Sequence, residues 1–162
     1  MKITTSLRMR PLLGFGVLLG ILSGCDMAGE PSLDVLDPWA RPMMIREAGS
    51  GASGGNSAVY LALRNSGGAV DTLLGGETPV AGRVEIHESF LEDDVMRMQE
   101  VGPLEVPPGE SVHLKPGGLH LMLLDLRESL VAGDTLSLTL GFSVSGPLTL
   151  RVPVQASGSG GM

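Results

Sequence analysis

Three short segments of this 162-residue chain place histidine and methionine side chains where they could bind a metal ion. His120 and Met122 lie one residue apart in the apolar run LHLMLL. In a β-strand they would project from the same face, with Cα atoms about 7 Å apart. His87 lies in the run VEIHE, and Met96 and Met98 share one face of VMRMQ. If these runs form neighbouring strands, their nitrogen and sulfur atoms can converge on one ion.

The types of side chain narrow the choice of metal. Neutral imidazole together with the neutral, soft thioether of methionine favours Cu(I) over zinc, calcium or magnesium. The single cysteine, Cys25, belongs to a separate N-terminal motif, so no thiolate is left for a metal site. A structural interpretation is also open, because methionine often fills cores and a histidine can be hydrogen-bonded at a strand edge.

The elements that would position these side chains are β-strands. Short apolar runs alternate with turn segments such as EDD, PPGE, KPGG and SGP, a rhythm typical of all-β domains. In TLSLTLGF, Leu136, Leu138 and Leu140 share one face, as a half-buried antiparallel strand requires. About seven such strands predict a Greek-key β-sandwich with little helix. The runs lie at residues 57–65, 83–89, 95–101, 111–115, 119–126, 134–144 and 147–155.

The N-terminal segment has the features of a bacterial export signal ending in a lipobox. Basic residues precede an apolar stretch at 12–22, and Leu22-Ser23-Gly24-Cys25 ends it. The stretch is short for a transmembrane helix. We expect residues 1–24 to be removed and Cys25 to carry the lipid; plain cleavage and an uncleaved anchor are the alternatives. Residues 25–36 would then be a tether, 37–155 the folded domain and 156–162 a disordered tail.

The charge of the chain excludes one class of partner. The full sequence has a net charge of −7, and removal of residues 1–24 would take away three of the 11 basic residues and no acidic ones, leaving −10. A protein of that charge repels nucleic-acid phosphates, so we expect no nucleic-acid binding. We also expect a monomer.

The spacing of the candidate ligands resembles that of a known family. His87, ten intervening residues, Met98, 21 intervening residues and then His120-x-Met122 are similar to the signature of the PCuAC-type periplasmic copper chaperones. The flanking segments DPWARP, AVYLALRNSGG, VPPGESVHLKPGGLHLMLL and LTLRVPV also resemble that family, so the resemblance covers residues 36–154.

The resemblance implies a cupredoxin-like fold and a Cu(I) site made by His87, Met98, His120 and Met122. It also implies delivery of copper, at the extracytoplasmic face of the membrane, toward the dinuclear copper centre of cytochrome c oxidase. The acceptor would be the copper subunit of the oxidase or a thioredoxin-like assembly factor. The choice of Met98 over Met96 rests on the family spacing alone.

Two features depart from many relatives. Glu88 stands where they have a second methionine after the first histidine, and the chain lacks their histidine- and methionine-rich C-terminal extension. A second copper site is therefore not expected. His113 and Trp39 are expected to be a surface residue and a packing residue. The acidic cluster at 92–94 is expected to solvate a hairpin tip, with partner docking as the alternative.

The sequence also bears on functions other than copper transfer. A blue-copper electron carrier needs a cysteine thiolate beside two histidines, and Cys25 is in the lipobox. No nucleophile motif, paired-carboxylate motif or phosphate loop points to an enzyme, so we expect none. Copper buffering for tolerance, and a surface lipoprotein that binds no metal, are the remaining alternatives.

Overall fold

The computed structural model describes residues 29–45 and 54–156, and these residues form strands and turns only. Within these ranges no helix is long and apolar enough to cross a membrane. The all-β prediction is confirmed. The strands are β1 Leu33–Ala40, β2 Ser57–Asn65, β3 Asp71–Glu77, β4 Arg83–Glu92, β5 Val95–Glu100, β6 Leu104–Val106, β7 Ser111–Leu114, β8 Leu119–Leu124, β9 Thr135–Phe142 and β10 Gly146–Pro153.

The strands join in one strongly coiled antiparallel sheet. Its order is β1-β2-β8-β4-β3-β9-β10, and β5, β6 and β7 add to β4, β3 and β2 respectively. A parallel bridge between Ala40 and Val154 brings the first and last strands of this path together. The two faces of the expected sandwich are therefore opposite walls of a nearly closed barrel, which suits a twisted sheet because twisting brings its edges together.

The core fills the inside of the barrel with alternate side chains of each strand. Leu136, Leu138 and Leu140 of β9 are buried as predicted, and so are Leu121 and Leu123 of β8. Each fully buried leucine contributes about 1.5 to 3 kcal/mol relative to an exposed one. The alternation therefore fixes which residues of β8 face outward.

Strand β2 is buried on both faces. Its inner residues Val59, Leu61 and Leu63 lie in the core, but Ala58 and Tyr60 on the outer face are buried as well. The outer face of a strand in a small barrel is buried only where other side chains pack on it. Ala58 and Tyr60 are such positions, and they lie in the part of the surface that carries the candidate site.

Strand β1 corrects the predicted tether boundary. It begins at Leu33, so residues 33–36, which the sequence assigned to the tether, form part of the sheet. The register shifts between Leu36 and Trp39, where Asp37 has a φ of 47°. An aspartate, a proline and a bulge interrupt the apolar alternation here, which is why the sequence did not indicate a strand.

Strands β3 and β6 were also not predicted. Strand β3 contains the pair Gly75-Gly76 just before its last residue, and β6 has only three residues. The described residues thus form ten strands where about seven were expected. The predicted signal segment 1–24, the lipobox Cys25 and the tail from residue 157 lie outside the described residues.

Strands β4 and β5 form a hairpin that stands away from the core. Its two-residue turn is Asp93-Asp94, with φ values of 51° and 60°. Two left-handed residues are the geometry of a type I′ turn, for which aspartate is well suited. All six residues of β5 are exposed, and among the described strands β5 pairs with β4 alone. The predicted solvated acidic tip is confirmed in its exposure.

Candidate metal site

The register of three adjacent strands makes the four predicted ligands neighbours. His87 of β4 is directly opposite His120 of β8, and Glu85 is opposite Met122. On the other side of β4, Met98 of β5 is opposite Ser89. Met122 and Met98 are therefore each a diagonal neighbour of His87, a relation that places Cα atoms about 7 to 8 Å apart. All four side chains belong to the outer face of the sheet.

A cleft of about 280 Å³ lies on this face, and three of the four predicted ligands line it. His120, Met122 and Met98 line it, and so does Met96. His87 does not line the cleft; it lies beside it, with its ring centroid 6.1 Å from that of His120. The rest of the wall comes from Arg41, Asn56, Ser57, Ala58, Tyr60, Ser89, Pro116 and Gly117.

His120 is held by a backbone carbonyl. Its side chain is nearly covered, with 3% relative exposure, and its Nδ1 lies 2.9 Å from the carbonyl oxygen of Gly118. A carbonyl only accepts, so Nδ1 carries the proton and donates it. The other nitrogen, Nε2, is then left with a free lone pair, which is the form in which imidazole binds a metal.

The KPGG segment creates this carbonyl contact. Gly118 N–H donates to the Lys115 carbonyl at 3.1 Å, and Gly117 has a φ of 80°. Proline followed by a glycine in the left-handed region is the sequence of a type II turn. The turn points the Gly118 carbonyl at two donors, the His120 ring and the Ser89 N–H at 3.1 Å. It thereby ties β8 to β4 at the site.

His87 is held by a carboxylate. Its Nε2 lies 3.0 Å from Oε2 of Glu85, whose other oxygen accepts from Arg83 at 2.7 Å. An ionised carboxylate accepts only, so Nε2 is the protonated nitrogen. The remaining Nδ1 is buried and has no hydrogen-bond partner among the described residues. A buried acceptor without a partner is costly, and a bound metal ion would satisfy it.

The environment of His120 favours its neutral form. Burial lowers the pKa of His120 and outweighs the raising effect of its hydrogen bond to Gly118. The positive charges of His87, when protonated, and Arg41 lower this pKa further. His120 therefore stays neutral to a lower pH than an exposed histidine, and its Nε2 lone pair remains available near neutrality.

Two aromatic rings pack behind His120. The ring centroids of Tyr60 and His120 are 6.2 Å apart, and those of Trp39 and Tyr60 are 4.6 Å apart with the planes tilted by 36°. The register shift at the bulge in β1 puts Trp39 directly opposite Tyr60. Trp39 is not among the residues lining the cleft, so its predicted packing role agrees with its position.

The methionines differ in their exposure. Met122 is partly covered on β8, whereas Met98 and Met96 on the hairpin have exposures of 52% and 61%. Both β5 methionines line the cleft, so lining does not distinguish them. The strand register does distinguish them, because Met98 is the diagonal neighbour of His87, whereas Met96 lies two residues further along β5, opposite Leu91.

His113 on β7 is exposed and does not line the cleft, as expected of a surface residue.

The donors in this cleft are not those of a hard-metal site. In residues 29–45 and 54–156, no three His, Cys, Asp or Glu side chains come together to hold an ion. The side chains that line the cleft offer thioether sulfur beside imidazole, a combination suited to a soft ion.

Two residues that matter here were not singled out from the sequence. Glu85 is two residues before His87 on the same strand face, so alternation alone could have indicated it. The Gly118 carbonyl carries no such signal, because its direction depends on the backbone of the turn. Both groups fix a histidine ring rather than touch the cleft.

Two known proteins are similar to this chain along most of its length. The chain is 31% identical over 141 residues to "Putative lipoprotein Lxx21020" of Leifsonia xyli subsp. xyli, covering 86% of this chain and 84% of that protein. It is 32% identical over 135 residues to "Uncharacterized protein RP573" of Rickettsia prowazekii, covering 77% and 72%.

Solved structures share the fold. The apo PCuAC domain from PmoF1 superposes with a TM-score of 0.61 at 27% identity, covering 76% of this chain and 93% of that domain. The copper-bound PCuAC domain from PmoF2 gives 0.61 at 23%, covering 76% and 92%. The Cu(I) form of DR1885 from Deinococcus radiodurans gives 0.54 at 23%, covering 75% and 78%.

The cupredoxin-like fold and the resemblance to PCuAC domains are thereby confirmed. The sequence profile of the family described as "Putative lipoprotein LpqE-like" matches residues 33–154, the whole barrel. The chain belongs to this LpqE-like family.

Proposed function

We propose that this protein is a lipid-anchored, extracytoplasmic Cu(I) chaperone whose ligands are His87, Met98, His120 and Met122. One observation carries the proposal. Two histidines lie directly opposite each other on adjacent strands, beside a cleft lined by thioethers. In each, one ring nitrogen is hydrogen-bonded to a fixed acceptor, which leaves the other ring nitrogen free to bind a metal. Histidines that only stabilise the fold have no need of this arrangement.

The chemistry of the donors supports monovalent copper as the cargo. Two imidazoles and two thioethers are all neutral and include soft sulfur, so they suit Cu(I) and leave its single positive charge unchanged. Two structural neighbours, the copper-bound PCuAC domain from PmoF2 and the Cu(I) form of DR1885, also support copper.

The placement of the ligands supports a carrier. His120 and Met122 belong to a strand of the barrel, whereas Met98 is on an exposed hairpin and has 52% exposure. A ligand on an exposed arm can be exchanged for a donor of another protein without disturbing the core. Such a site passes its ion on rather than converting a substrate, so we propose no enzymatic activity.

For the acceptor we propose the dinuclear copper centre of cytochrome c oxidase, reached directly or through a thioredoxin-like assembly factor. The support is the PCuAC resemblance in sequence and fold. A deletion strain should lose oxidase activity and regain it with added copper. Full oxidase activity combined with copper sensitivity would instead favour the buffering function.

A Cu(I) titration tests the binding proposal. The soluble domain, with residues 1–28 removed, is titrated against a chromophoric Cu(I) chelator. We expect one ion per chain, and a loss of at least about 100-fold in affinity for His120→Ala with Met122→Leu, because even residues that only orient a ligand are worth about 10- to 100-fold.

The matched control is His113→Ala with Met44→Leu, which removes one imidazole and one thioether from exposed positions outside the cleft. It should bind copper like the wild type. Circular dichroism checks that both double variants are folded. Equal affinity in the two double variants would refute the proposed ligand set.

A further inference from the structure

Met96 is a thioether at the cleft that the proposed ligand set leaves unused. It lies on the same face of β5 as Met98, and both residues line the cleft with His120 and Met122. Its side chain is 61% exposed, and its cross-strand partner Leu91 is 65% exposed. Core packing therefore does not account for a methionine at this position.

The position of Met96 is suited to an ion that is leaving. Along β5 it is two residues from Met98, about 7 Å at the Cα atoms, and it lies on the side toward the hairpin turn. Methionine has three rotatable side-chain bonds, so two sulfurs at this spacing can approach the same ion. Asp93 and Asp94 at the turn are exposed carboxylates that attract a cation toward this end, whereas Glu92 is paired with Arg97.

We infer that Met96 is an outer Cu(I) contact through which the ion enters and leaves the cleft. The inference rests on the proposed function. In the step, the Met96 sulfur forms a bond to Cu(I) as the Met98 sulfur releases it. One neutral thioether replaces another, so no electron or proton is transferred and the charge of the ion is unchanged. A contact of this kind lowers the barrier in both directions and leaves the equilibrium affinity unaltered.

The test compares Met96→Leu with Met98→Leu in the soluble domain. Two quantities are measured for each: the equilibrium Cu(I) affinity, and the stopped-flow rate of Cu(I) transfer to a chromophoric chelator. For Met96→Leu we expect affinity within about twofold of wild type and transfer slower by at least about fivefold, which corresponds to about 1 kcal/mol in the barrier. For Met98→Leu we expect weaker affinity.

The matched control is Met44→Leu, which removes an exposed thioether with 71% exposure outside the cleft and should change neither quantity. A second readout is the NMR signal of ¹³C-labelled methionine methyl groups. On substoichiometric Cu(I), the Met96 methyl should shift or broaden while that of Met44 does not.

Three outcomes would overturn the inference. Unchanged transfer and unchanged affinity in Met96→Leu would show that Met96 makes no contact with the ion. Loss of affinity in Met96→Leu but not in Met98→Leu would make Met96 the resident ligand instead. Failure of the wild type to bind Cu(I) would remove the proposed function itself and the outer contact with it.

Discussion

The two histidines of the site are oriented by different groups, and this difference has consequences at the level of single residues. A backbone carbonyl holds His120, so no side-chain substitution can remove its acceptor directly. A side-chain carboxylate holds His87, so one substitution can. Glu85 is therefore the residue whose loss should disturb the site without removing a ligand.

Replacing Glu85 by alanine should weaken Cu(I) binding by about 10- to 100-fold, because the His87 proton is then free to move to Nδ1, the nitrogen that must stay bare. Nitrogen-15 NMR of the metal-free protein should show His87 change from one tautomer to a mixture. The control is Glu88→Ala, which removes the same charge from the residue next to His87, on the opposite face of the strand. If both variants bind copper equally well, Glu85 does not position His87.

The sequence predicted which side chains share a face of the sheet, because strand alternation assigns side chains to faces without knowledge of the fold. His120 and Met122 on one face, and Leu121 and Leu123 on the other, follow from alternation alone. Alternation could not choose between Met96 and Met98, which share a face. It also could not find the buried Nδ1 of His87 or the Gly118 carbonyl, since both depend on atoms brought together by the folded backbone.

At the level of elements, the turn between β7 and β8 links the fold to the site. Gly117 has a φ of 80°, and a Cβ atom added there would meet no heavy atom within 4 Å. Any cost of a side chain at this position is therefore backbone strain rather than collision. Gly118, the next residue, has an ordinary φ and only loose neighbours at 3.8 Å and beyond.

Gly117→Ala should lower the free energy of unfolding by about 1 kcal/mol, the cost of a left-handed conformation for a residue with a Cβ. Gly118→Ala should cost less, and urea titration of the two variants makes the comparison. Equal destabilisation would mean that the backbone conformation of Gly117 is not what determines the stability of the turn.

A second element-level contact fixes the far side of the barrel. Asp71, at the start of β3, accepts hydrogen bonds from the backbone N–H groups of Val144 and Ser145 at 2.9 Å, in the turn between β9 and β10. Burial alone would raise the pKa of Asp71, but the hydrogen bonds from Ser145, Val144 and Thr72 outweigh it and hold this pKa below the ordinary value.

The stabilisation from Asp71 should depend on pH in a defined direction. Because its pKa is lowered by folding, the contribution is fully present above the unfolded value of about 3.9 and is lost as pH falls through the folded value. Asp71→Asn should therefore lower the free energy of unfolding by about 2 to 3 kcal/mol at pH 7. This difference from the wild type should shrink as the pH falls below about 4. Exposed Asp94→Asn is the control for a lost charge. A difference from wild type that is constant from pH 7 to pH 2 would contradict the assignment.

At the level of the whole molecule, the coiling of one sheet brings its first and last strands together and leaves a single outer face for the site. The sequence predicted an all-β domain because most strands alternate cleanly. It missed β1, β3 and β6 because an aspartate-proline bulge, paired glycines and a three-residue length each hide that alternation. These strands depend on pairing with distant partners rather than on local pattern.

The proposed anchor is also a property of the whole chain. Cys25→Ser should abolish metabolic labelling with palmitate and release the protein from the membrane fraction, because the thiol that receives the lipid is gone. Copper binding by the released protein should be unchanged, since the barrel begins at Leu33. Membrane association that persists in Cys25→Ser would argue for an uncleaved N-terminal anchor.

Whether His87, Met98, His120 and Met122 bind copper can be measured by copper K-edge X-ray absorption of the soluble domain loaded with Cu(I). We expect a first coordination shell that contains both nitrogen and sulfur, with sulfur reduced in Met122→Leu and nitrogen reduced in His120→Ala. A shell of nitrogen and oxygen alone, or one that neither substitution changes, would contradict this set of ligands.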